Sequence, residues 1–179
     1  GFDRDETLCL LRDTLGTLPR GEGAPALDEP AFTPALALTA KEFEQTSLSL
    51  ALPGLPSGDP RRYAMSLLNF IVGGGASSRL FQRLREELGL AYSVYSASYA
   101  SKGAGLFTVA ASFSAGQQEQ VLSEIQGVLR ALPGSITDEE FERARAQVKA
   151  SFILGLETVA SQASYIGRNE LLEGREIPP

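Results

Sequence analysis

Residues Gly73–Ser96 read GGGASSRLFQRLREELGLAYSVYS. Three glycines in a row cannot continue a helix cheaply, and the serines after them are good helix caps. Ser77 or Ser78 therefore starts a helix that runs to about Leu88. Gly89 then falls where a left-handed helix stop belongs, and Ala91–Ser101, rich in Tyr and Val, reads as a strand. A glycine run before a serine-capped helix could cradle a phosphate. This one lacks the Lys-Ser/Thr of a P-loop and the Gly-x-Gly-x-x-Gly of a dinucleotide fold, and the segment before it is helical. Gly73, Gly74 and Gly75 thus read as a tight interhelical turn.

Outward from that stretch the pattern is regular. Upstream, Asp59-Pro60 opens a helix whose apolar stripe is Tyr63, Leu67, Phe70 and Ile71. Before it, Thr46–Leu52 alternates leucine with small residues, and Leu36–Ala40 is a second expected strand. Downstream, Lys102–Gly105 turns the chain into Leu106–Ser114, where Phe107, Val109, Ala111 and Phe113 alternate with Thr108, Ala110 and Ser112. Gln117–Leu132 is helical. Thr137–Glu140 has the spacing of a capping box and launches a long helix to about Leu156, and Ser161–Glu173 is a last helix ended by Gly174. The class is α+β: an antiparallel-dominated sheet with helices packed on one face.

The amino-terminal end differs. Asp3 or Asp5 caps a short helix carrying Leu8, Leu11, Leu15 and Leu18, with Cys9 expected as a small core residue. Pro19–Pro34 holds four prolines and reads as a linker.

Composition removes whole classes of chemistry. The 179 residues include no histidine and one cysteine. A Ser-His-Asp triad, a Cys-His pair, an imidazole zinc site and an intrachain disulfide are all excluded. The net charge of −6 speaks against nucleic acid as a partner, and no apolar run reaches the roughly 20 residues of a membrane span. Adjacent pairs Glu86-Glu87 and Glu139-Glu140 diverge on their helices and read as solvated faces; Tyr95 and Tyr99 read as packing. No basic-then-apolar leader opens the chain and its lone methionine is Met65, so it reads as a piece of a longer protein, of open localisation.

The run Gly73–Ser96 resembles, nearly residue for residue, the second-domain signature of the pitrilysin/insulinase-type zinc metallopeptidases, the family of mitochondrial processing peptidase. The resemblance extends to Gly1-Phe2-Asp3, Glu44-Gln45-Thr46, Thr137–Glu140 and Arg168–Gly174. It implies that residues 1–18 are the terminal helix of a preceding domain, 19–34 an interdomain linker, and 35–179 a zinc-free second domain lacking its last element. Zinc is then expected on a catalytic domain elsewhere, at a His-x-x-Glu-His helix that this histidine-free chain does not contain. The same resemblance gives Arg85 and Tyr92 a role in binding substrate, where they would stabilise an oxyanion from across the cavity. The implied partners are the catalytic domain of the same chain or another subunit, in a homo- or hetero-dimer, and a peptide substrate. An inactive partner subunit of the same fold, like the respiratory core proteins, is the alternative.

Overall fold

A computed structural model describes residues 1–19, 21, 23, 30–175 and 177. Its centre is a three-stranded antiparallel sheet of β1 (Gln45–Pro53), β2 (Ala91–Ala100) and β3 (Gly105–Ser114), in the order β1-β3-β2. The hairpin strand β3 is the middle one, so it decides the core. Register sets Leu48 opposite Ala111, Leu50 opposite Val109 and Leu52 opposite Phe107. On the other side Val94 faces Ala111 and Ser96 faces Val109. Side chains alternate along each strand, so these residues share one face. Phe107, Val109, Ala111 and Phe113 are all buried there.

Helices cover that face. In chain order the helices are an amino-terminal α1 (Arg4–Thr14), α2 (Arg62–Gly73), α3 (Phe81–Glu87), α4 (Gln118–Ala131), α5 (Asp138–Gly155) and α6 (Val159–Glu173); α2, α3 and α4 place core residues on the sheet, and α5 packs on α2. The core joins Val72 of α2, Leu80 and Leu84, Leu90, and Val121 and Ile125 of α4 to the sheet. Each such side chain contributes roughly 1.5–3 kcal/mol by leaving water. Gly73 permits a close approach of α2 to the sheet: a Cβ there would run into the backbone nitrogen of Ser96. The α+β class and the one-sided helical layer are as the sequence implies.

The long helices obey their local signals. Thr137 and Glu140 form the reciprocal capping box of α5, and Gly174 stops α6 in the left-handed conformation at φ 67°. Two expectations near the amino terminus are corrected. Leu36–Ala40 is not a strand; Leu36 and Leu38 are 84% and 85% exposed. Alternation alone cannot make a strand when no neighbour takes its backbone hydrogen bonds, and β1 pairs only with β3 among the described residues. Cys9 is exposed, not core. Asp3 does cap α1, accepting from the Glu6 amide at 2.9 Å, but no residue of that helix is buried. Half of the expected linker (residues 20, 22 and 24–29) and the Pro178-Pro179 end lie outside the described residues.

Candidate functional site

The glycine–serine stretch proves to be a joint. Gly73 brings the end of α2 against β2, where Ser96 Oγ lies 3.0 Å from the backbone oxygen of Asn69 and 2.8 Å from its Oδ1. Ser77 is exposed and Ser78 buried, and neither forms a side-chain cap on α3. The three arginines that follow have different employments. Arg79 grips Glu140 through two hydrogen bonds of 2.7 Å and reaches Ser135 Oγ and its carbonyl at 2.7 and 2.8 Å. Glu140 also accepts from the Thr137 amide at 2.9 Å. Hydrogen bonding from Arg79 is the main reason its carboxyl titrates at about 2. Arg83 bonds Glu124 at 2.8 Å and Glu87 at 2.9 Å. Glu87 and Glu140 are therefore ion-pair partners rather than merely solvated acids.

Arg85 is the exception. It is exposed and takes part in no ion pair among the described residues. Its guanidinium carbon lies 4.9 Å above the centre of the Phe81 ring, one turn earlier. That stacking holds the stem while leaving the donors at the edge of the guanidinium free.

Backbone irregularities frame Arg85 and Tyr92. The helix is π-wound, with Leu88 N bonded to the Arg83 carbonyl at 3.3 Å. Leu90 N then reaches back to the Leu84 carbonyl at 2.8 Å, and Gly89 turns the chain at φ 59°. Immediately beyond, the β2–β3 register slips between Ala91 and Ser93. Tyr92 is the extra residue of that bulge, and a bulge re-aims the side chain it carries. It is 57% exposed, with its hydroxyl 3.2 Å from Ser114 Oγ. Arg85 and Tyr92 are thus both accessible, seven positions apart, on elements joined by one glycine turn. They are not hydrogen-bonded to each other in the described structure.

The uncovered face of the sheet extends this surface. Tyr95 and Tyr99 are more than half exposed, so they do not pack as expected; among the described residues no helix covers their side of β2. Ser93 and Ser112 bond across the strands at 2.8 Å on the same face. Composition and alternation pointed to these positions as small or aromatic but not to their being left open. Neither the π-turn nor the bulge has a signal in residue pattern beyond Gly89.

The donor set does not fit a zinc ion. There is no histidine in the sequence, Cys9 sits exposed on α1, and no group of three or more Cys, Asp and Glu is placed to hold a metal among the described residues. Among those residues no helix is long and apolar enough to cross a membrane.

An antiparallel sheet with a one-sided helical layer defines an α+β domain with an open, hydroxyl- and tyrosine-bearing face. The sequence profile of the peptidase M16 inactive domain matches residues 1–148, and the chain belongs to that family. It is 40% identical over 153 residues to an uncharacterized zinc protease of Bacillus subtilis (strain 168), covering 85% of this chain and 37% of that protein. A crystal structure of a peptidase M16 inactive domain from Pseudomonas fluorescens is 28% identical with a TM-score of 0.71, over 84% of this chain and 37% of that one. A chain of complex III from Candida albicans shares the fold at 20% identity and a TM-score of 0.82, over 99% of this chain and 45% of that one. The chain spans between 31% and 43% of the length of the first curated relatives it matches.

Proposed function

We propose that this chain is the metal-free part of a zinc peptidase, holding a peptide against its open sheet face while a domain or subunit elsewhere supplies the zinc. The observation that carries this is the idleness of Arg85. Of the three arginines in the signature stretch, Arg79 and Arg83 are committed to carboxylates and Arg85 keeps its donors free beside the Tyr92 bulge. A guanidinium and a phenol can each donate to a peptide carbonyl. In a site shielded from water they favour the state in which negative charge builds on that oxygen. The tyrosines and serines of the open face offer apolar contact and adaptable hydrogen bonds for the rest of an extended peptide. On this reading residues 1–18 close a preceding domain, 19–34 cross to the second, and 35–179 form the second.

The test is peptide turnover by the zinc-bearing assembly that contains this chain. Arg85→Ala and Tyr92→Phe should each lower turnover about 100–1,000-fold, the usual effect of removing an oxyanion donor. Thermal melting should stay near that of the parent, because both groups are exposed. Unchanged turnover in both variants would remove the assignment. An assembly in which this fold serves only as scaffold, the second reading, would show no turnover to lose.

A further inference from the structure

A concavity lies apart from Arg85 and Tyr92. It opens between α2, α5, α6 and the loop after β1, with a volume of about 810 Å³. Its walls are largely carbon: Leu55, Met65, Val148, Phe152, Tyr165 and Leu172. The wall is braced. Phe152 and Tyr165 meet edge to face at 5.6 Å, joining α5 to α6, and Ser57 Oγ donates to Glu173 Oε1 at 3.5 Å, joining the loop to the end of α6. That size and lining are typical of a small-molecule site.

Its polar groups are unbalanced. Among the described residues, Arg62, Lys149 and Arg168 border the space against one acid, Glu173. Lys149 and Arg168 take part in no ion pair among the described residues. Asn169 Nδ2, also on the wall, is buried with no hydrogen-bond partner. A buried donor without a partner is costly, and a ligand acceptor would relieve it. We infer that this concavity binds a small amphiphilic carboxylate, its aliphatic or aromatic body among the apolar side chains and its carboxylate toward Lys149, Arg168 and Asn169. A peptide is a poorer occupant. It would bring an amide about every 3.3 Å of its length to walls that are mostly carbon.

Calorimetric titration of the 179-residue chain with decanoate, below its micelle concentration, tests this. Saturable binding of one decanoate per chain is expected, with decanol at least about tenfold weaker, since charge-assisted hydrogen bonds are lost. Lys149→Ala/Arg168→Ala should reduce decanoate to the affinity of decanol. Both side chains are exposed, so the double variant should melt like the parent, and the decanol comparison needs no variant. The inference fails if decanoate shows no saturable binding, if decanol binds equally well, or if the double variant keeps the parent affinity. Tighter binding of acetyl-Leu-Leu-Phe with a free carboxylate would assign the concavity to peptides instead. None of these outcomes depends on peptide turnover.

Discussion

The two faces of β3 are built from alternate residues of one strand and live in opposite environments. Phe107, Val109, Ala111 and Phe113 are buried beneath α2, α3 and α4. Leu106, Thr108, Ala110, Ser112 and Ser114 look the other way, beside Tyr95, Tyr99 and the Tyr92 bulge. The first face holds the domain together through surface removed from water. The second keeps polar and aromatic groups accessible at little cost to stability. Substitutions on the two faces should therefore separate folding from contact.

The largest effect on stability belongs to the covered face. Phe113 is fully buried, and Phe113→Ala should cost about 3–5 kcal/mol by transfer and cavity terms together. Denaturant titration measures it, and a loss under about 1 kcal/mol would mean that the helical layer does not depend on this strand.

Next comes the joint at the edge of that layer. Glu140→Ala removes both the Arg79 ion pair and half of the capping box, and should cost about 2 kcal/mol. The pair also predicts acid sensitivity. Glu140 titrates at about 2 in the folded chain against an ordinary 4.5, so its contribution is complete above that ordinary value and disappears as pH falls through about 2. Glu140→Gln should flatten this part of the stability–pH curve. An unaltered acid limb would show that the Arg79–Glu140 pair is not held in solution.

The smallest effect is expected on the open face. Tyr95→Ser should change stability by no more than about 0.5 kcal/mol, since the ring is already half in water. A loss of several kcal/mol in the same denaturant titration would mean that this face is covered in the free chain, and the contrast between the faces would collapse.

Much of this architecture was legible because its signals are local. Asp3, Thr137 and Gly174 each determine a helix end through bonds within a few residues, and period-two alternation in Thr46–Leu52 and Leu106–Ser114 already selects the buried face. The signature stretch also led to Arg85 and Tyr92 through its resemblance to zinc metallopeptidases. What the chain order could not convey is non-local. Leu36–Ala40 has strand alternation but finds no partner among the described residues, and Cys9 sits on a leucine-rich helix that nothing described here buries. Equally, residue types alone did not distinguish Arg79 and Arg83, which meet acids 61 and 41 positions away, from Arg85, which meets none among the described residues. Sequence determined the helix ends, the strand faces and the absence of a histidine metal site, because each follows from neighbouring residues or from composition. Tertiary structure decided which arginine stays free, which tyrosines stay open and where the concavity forms, because those depend on the distant elements that pack beside them.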